Sequence, residues 1–272
     1  LKILISTDIE GVAGVTHAEQ THSGNPEYER ARAWMTDEAN AAIQGAFEGG
    51  ATQVLVNDSH GSFRNLLLDR LDGRAQTITG KPRYLSMMTG VELGCDAVYM
   101  LGYHSRAQTQ GVLAHTINSF AFRNVSVNGQ PFGEAHLYGA LAGEFGVPVA
   151  LRCGDDVFLA ETAPAFPGSI GVQTKRALGN GVCLSLAPER ACTLIREAAK
   201  AAVANISDLR PFKVAGLIEC ELTTQTPALA DLFCQWPQLQ RTEASALRFS
   251  AESMQSAVRM LNSLSAMSFM LR

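Results

Sequence analysis

In the opening stretch ISTDIEGVAG, an apolar strand-like run leads through Thr7 to two carboxylates, Asp8 and Glu10, followed by small residues that leave them little cover. A turn can use one such acid; a cation site can use both. Two further apolar runs end the same way. VLVNDSHG places Asp58 and His60 after the second, VYMLGYH closes on His104, and GVLAHT puts His115 in or beside the next extended piece. Taken singly, an acid after a strand is usually a turn residue, and a lone histidine is usually a hydrogen-bonded structural group. Delivered together by separate segments of a chain with only six histidines, they point to a metal site.

Mixed imidazole and carboxylate donors without thiolate suit zinc, and less distinctively manganese or cobalt, whereas all-oxygen ligation would suit magnesium or calcium. A bridging carboxylate can hold two ions about 3.5–4 Å apart, and the donor set is larger than one catalytic zinc with an open position uses. Spacing alone proves little. Glu219 and Glu221 in LIECELTT are also two residues apart, yet they alternate with Ile218, Cys220 and Leu222, as the solvent face of a strand does. His17, His22 and His136 read as structural or peripheral. Asn57 and Asp58 suit a turn, or the orientation of His60 through its second N–H. Gly11, Gly14 and Gly102 suit tight turns around the ligands.

The elements that must position these groups follow from periodicity. Runs at Lys2–Ser6, Gln53–Asn57, Ala97–Gly102 and Val147–Leu151 are apolar on both faces, as in a parallel sheet covered by helices on each side. The carboxyl ends of such strands share one edge, where ligands bind. Between the first two runs, Asn25 caps a helix, Pro26 suits its first turn, and Tyr28, Ala31, Met35, Ala39, Ile43 and Phe47 keep helical spacing until Gly49 and Gly50. Further helical patterns occupy 134–145, 187–204 and 253–269, the last a methionine-rich core helix. RNVSVNGQ reads as a hairpin around Asn128-Gly129. Past residue 190 come a strand at 212–222, a short helix at 227–235 and a strand at 241–250. The expected fold is α/β, three-layered with a mainly parallel sheet. Residues 1–188 would form the metal-binding catalytic domain and 189–272 a smaller α+β part.

With 272 residues and a net charge of −4, its 22 basic residues scattered without a run, the chain has no electrostatic footprint for nucleic acid. Six cysteines without a CxxC pair read as free thiols in a reducing, cytoplasmic setting. No secretory-signal pattern opens the sequence, and no apolar stretch approaches the roughly 18–20 residues of a membrane helix. Neither membrane nor nucleic acid is expected as a partner.

The chain resembles the zinc-dependent D-aminopeptidases of dipeptide-transport operons, peptidase family M55. STDIEGVAG, NPEYERARAWMTDEAN, VLVNDSHG, LGYHSRAQTQGVLAHT, NGQPFGE, CGDD and VQTK carry the resemblance, in family order from Ser6 to Lys175. The resemblance implies two zinc ions bridged by Asp8, with Glu10, His60, His104 and Glu134 completing the protein ligands and His115 as the catalytic histidine. Glu134 enters on the resemblance alone, since an acid at a helix start is ordinarily a dipole or cap device. The resemblance also implies a short peptide substrate with a D-residue at its N-terminus, and a homo-oligomer of decamer size. Lys175 is offered to the substrate carboxylate or an oxyanion, and Thr174 departs from the apolar residue usual before it. A metal-dependent phosphoesterase is the rival enzyme, disfavoured by few arginines near the site, with Arg106 the nearest in sequence. A non-catalytic metal- or peptide-binding module is the rival of another class.

Overall fold

A computed structural model describes residues 1–272. Its elements in chain order are β1 (Lys2–Thr7), α1 (Pro26–Glu48), β2 (Gln53–Asp58), β3 (Gln76–Ile78), β4 (Ala97–Leu101), β5 (Phe122–Val127), β6 (Gln130–Pro131), α2 (Glu134–Glu144), β7 (Val149–Asp155) and α3 (Asp156–Thr162). There follow β8 (Ile170–Gly179), β9 (Val182–Ser185), α4 (Pro188–Ala204), β10 (Ile218–Thr224), α5 (Pro227–Phe233), β11 (Gln240–Glu243), β12 (Ala246–Ala251) and α6 (Met254–Met267).

Seven strands form the main sheet in the order β3-β2-β1-β4-β7-β8-β9, parallel throughout except for the β8–β9 hairpin. Strand alternation explains why β1 is apolar on both faces. Ile3 and Ile5 pack under α1 and α4, while Leu4 joins the opposite core with α2, α6 and a second, antiparallel sheet. The expected three-layer α/β architecture is present, and α1 begins as the sequence indicates: the Asn25 side chain accepts the Tyr28 N–H with Pro26 in the first turn.

The chain moves outward from β1 through β2 to β3, then returns to the other side of β1 for β4. The topological switch therefore lies between β1 and β4, where a doubly wound sheet opens its ligand crevice. Glycines let the two following loops touch there. The Asp8 N–H donates to Leu101 O at 2.8 Å and the Gly11 N–H to Gly102 O at 2.7 Å. A Cβ on Gly11 would stand 2.0 Å from Tyr103 O, and one on Gly102, whose φ is +63°, would stand 2.1 Å from Asp8 O. No side chain fits either gap.

The second sheet, in the order β11-β12-β10-β5-β6, draws its strands from both sides of residue 188. A cut between 188 and 189 therefore runs through the second sheet. The reason is physical: β5 and β6 need the β10 edge to complete their pairing, while the apolar stripe of α4 (Ala191, Ile195, Ala199, Ala202) is buried in the core that also holds α1. Two elements differ from expectation. The expected strand at 241–250 is the β11–β12 hairpin, and the strand expected from 212 begins at Ile218, where it pairs with β12. The Asn128-Gly129 hairpin forms as expected, with φ of 49° and 75° at its two central residues. All six cysteines are free. No helix is long and apolar enough to cross a membrane.

Candidate metal centre

Asp8 and Glu10 follow β1, His60 follows β2, His104 follows β4, His115 lies on the long loop between β4 and β5, and Glu134 opens α2. His115 thus sits on a loop, not beside an extended piece. The structure brings all six together. His60 Nδ1 lies 3.0 Å from Asp8 Oδ1 and 3.1 Å from Glu10 Oε2. His104 Nε2 lies 3.6 Å from Asp8 Oδ2 and 3.4 Å from Glu134 Oε1. His115 Nε2 lies 3.7 Å from Glu134 Oε1, and its ring stacks on His104 with centroids 4.1 Å apart. The two oxygens of Asp8 therefore face two different imidazoles.

Backbone carbonyls set the tautomer of each histidine, because a carbonyl oxygen can only accept. His60 Nε2 donates to Thr21 O at 2.8 Å, His104 Nδ1 to Ser105 O at 3.0 Å and His115 Nδ1 to Leu113 O at 2.9 Å. Each ring consequently turns its other nitrogen, a lone pair in the neutral form, toward carboxylate oxygens. His104 Nε2 and Glu10 Oε2 are buried with no hydrogen-bond partner. Lone pairs aimed at anions repel one another unless a proton or a metal ion lies between them, so this donor set fits a cation.

The electrostatics agree. Burial, reinforced by Glu10, pushes the Asp8 carboxyl up to about 8. Burial disfavours imidazolium at His104, yet Glu134 overrides it and raises that group to about 10. His60 is raised well above the ordinary histidine range by Glu10 and Asp8, again against burial. The cluster is short of positive charge. Zinc suits it by donor type, since three imidazoles and three carboxylates converge without thiolate.

Several residues act by holding the loops. Lys175 is one, and it departs from expectation. It is 2% exposed, and its Nζ donates to Glu10 O, Val12 O and Val15 O at 2.5, 2.9 and 2.6 Å, which uses all three N–H bonds. No donor is left for a substrate; Lys175 positions the loop that carries Glu10. Thr174 serves the same loop, donating to Gly11 O at 2.7 Å. Asp58 accepts the Asn65 and Leu66 N–H groups, and so holds the turn after His60 instead of its ring. Asp155 caps α3 through Phe158 N and also accepts the Val112 N–H, which anchors the His115 loop. The acids in CGDD were its only sequence signal. His136 lies buried beside the Phe132 and Phe166 rings, and His17 caps a short 3₁₀ turn, so neither joins the cluster.

Two cavities of about 620 and 540 Å³ meet at His60, Gly61, Lys81 and His115. The larger also touches Asp8 and Glu134 and is lined by Asn262, Ser265 and Phe269, the last two shared with the smaller. The C-terminal helix thus completes a site that periodicity assigned to the first part alone. Arg106 is engaged with Glu161 and lines neither cavity, whereas Lys81 and Arg83 line the larger one.

The model of the peptidase M55 family, described as D-aminopeptidase, matches residues 1–263. The chain belongs to this family of D-aminopeptidases. Membership makes it an aminopeptidase, the class of hydrolase that its motifs imply. A curated D-aminopeptidase of Bacillus subtilis (strain 168) is 35% identical over 212 residues, 78% of this chain and 77% of that protein. A solved structure, the Zn-dependent D-aminopeptidase DppA from Bacillus subtilis, described as a self-compartmentalizing protease, superposes with a TM-score of 0.95 at 30% identity, covering 99% of this chain and 98% of that one.

Proposed function

We propose that this protein is a dinuclear zinc aminopeptidase that removes the N-terminal residue of short peptides, preferentially a D-amino acid. The observation that carries the reading is the turn of the Asp8 carboxylate, one oxygen to His60 and the other to His104. Asp8 would bridge; Glu10 and His60 would complete one ion's protein ligands, His104 and Glu134 the other's. Three buried carboxylates outweigh a single divalent ion, whereas two such ions leave a net positive centre suited to an amine's lone pair and a polarised carbonyl. Bound zinc supplies Lewis acidity and acidifies water from a pKa of 15.7 toward about 7.

His115 does the proton work. Its Nδ1–H is committed to Leu113 O, so Nε2 is the free lone pair, facing the cavity's carboxylates. That nitrogen takes a proton from the attacking water and returns it to the departing amine. A second reading has a specific basis: His104, His115 and Glu134 are themselves close enough to share an ion. His115 would then be a ligand.

Zinc content by elemental analysis, followed by parallel assays of D-Ala-D-Ala, L-Ala-L-Ala and an aryl phosphate, tests the proposal. Two zinc ions per chain with cleavage of the D-dipeptide support it. Phosphate release without peptide cleavage would favour the phosphoesterase, and zinc without any turnover a binding module. We also propose a homo-oligomer, a decamer by family resemblance, whose contacts include the β8–β9 hairpin. Leu178, Val182 and Leu184 stand there 63%, 58% and 66% exposed, an apolar cluster at a sheet edge. Light scattering on the parent and on Leu184→Glu tests this.

A further inference from the structure

The cavity beside the metal cluster has a charged wall that the proposed chemistry leaves unused. Lys81 and Arg83 line it, and its only carboxylates are Asp8 and Glu134, both belonging to the cluster. Every polar contact these cations make is to a neutral oxygen. Lys81 Nζ donates to Gly61 O at 2.9 Å; Arg83 donates to Asn57 Oδ1 at 2.5 Å and to Asp58 O at 2.6 Å. Of five guanidinium N–H donors, Arg83 uses two, and its Nε has no partner. Lys81 has two donors free.

The placement of Arg83 is not incidental. Its guanidinium lies 4.0 Å over the Phe63 ring, and its bonds to Asn57 and Asp58 tie it to the end of β2, the strand that delivers His60. A cation tied by two hydrogen bonds to the strand that delivers His60 suits a planar anion, which a guanidinium meets with two parallel hydrogen bonds. Solvated surface charges have neither the rigid mount nor the shared cavity.

We infer that Lys81 and Arg83 form the subsite for the free α-carboxylate of a short peptide whose N-terminus lies at the metal cluster. The inference rests on the aminopeptidase reading and adds a limit on chain length. An amine held at the cluster and a carboxylate held by Lys81 and Arg83 within the same cavity of about 620 Å³ admit only a few residues between them. Lys81 and Arg83 are thus specificity residues: they recognise the C-terminus of the substrate and take no part in proton transfer.

The test compares D-Ala-D-Ala with its C-terminal amide on the zinc-loaded enzyme. Amidation removes the anion and leaves the scissile bond intact. In the parent, the amide should show a KM about tenfold to hundredfold higher with kcat largely retained. Lys81→Met and Arg83→Met should raise KM for the free acid and shrink the acid-to-amide ratio toward one. Equal kcat/KM for acid and amide in the parent would overturn the subsite, as would variants that slow both substrates equally and keep the ratio. Should Arg83→Met fail to fold, the parent comparison and Lys81→Met decide the matter. Failure of the parent to cleave either substrate would instead sink the aminopeptidase reading.

Discussion

Two pairs of acids in this chain share one spacing and have opposite fates. Asp8 and Glu10 are buried at the end of β1, among imidazoles and with an oxygen left unpaired. Glu219 and Glu221 lie within β10, half-buried and exposed; Glu219 accepts a hydrogen bond from the Ser250 hydroxyl. The difference is one of topology. β10 continues past its acids, paired on both sides by β5 and β12, so alternation sends them to the uncovered face. β1 stops at Thr7, and the chain leaves the sheet at the switch point, where the loop after β4 meets it. Adjacent carboxylates can serve a cation only where the chain turns them inward together with partners that could share the ion.

Breaking the first pair should have the largest effect. Asp8→Ala should empty the centre and reduce turnover by about a thousandfold or more, checked by zinc per chain and peptide assay. His115→Ala should cost about 10²–10⁴ in kcat, the span of general acid–base catalysis. Two zinc ions retained in that variant support His115 as the base; loss of one identifies it as a ligand. Lys175→Met strands three loop carbonyls and should weaken zinc binding about 10- to 100-fold, as loss of a ligand's supporting partner does. With zinc saturating, KM should stay near the parent value; a large rise would restore Lys175 to the substrate.

A smaller effect separates burial from metal binding. Glu38 is buried on α1, accepts the Ala13 N–H, and is pushed up to about 7 by burial. Its folded pKa lies above the ordinary glutamate value, so the folded state binds the extra proton. Stability from this group is full below about pH 4.5 and is lost as the pH rises through about 7. In Glu38→Gln the amide oxygen can keep the Ala13 bond without titrating. Urea unfolding of metal-free protein at pH 5 and pH 8 should show a shallower fall for the variant than for the parent, by about 1–3 kcal/mol. The smallest effect sharpens the comparison from its other side. Glu221→Ala should leave zinc content and turnover unchanged and move stability by no more than about 0.5 kcal/mol.

The sheet was legible because its strands are apolar on both faces, and α1 because Asn25, Pro26 and the Gly49-Gly50 pair mark its ends. The convergence of Asp8, Glu10, His60 and His104 was legible because each follows such a strand, and parallel strands align their ends. Glu134 was not readable from its own surroundings. At the start of α2 it looks like a dipole device, and only the fold turns it toward His104. Nothing local to Lys175, offered above to the substrate, records that three backbone carbonyls from a distant loop enclose it.

Residue types and their order along the chain determined the chemistry available: oxygen and nitrogen donors, no thiolate, delivered at the ends of buried strands. Local pattern carries that information because hydrogen-bond periodicity and burial act over a few residues. The tertiary structure alone decided that Thr21 O orients the His60 ring, that α6 closes the cavity, and that Lys81 and Arg83 face it. Those contacts join segments far apart in sequence, and no short-range propensity records where two distant loops will meet.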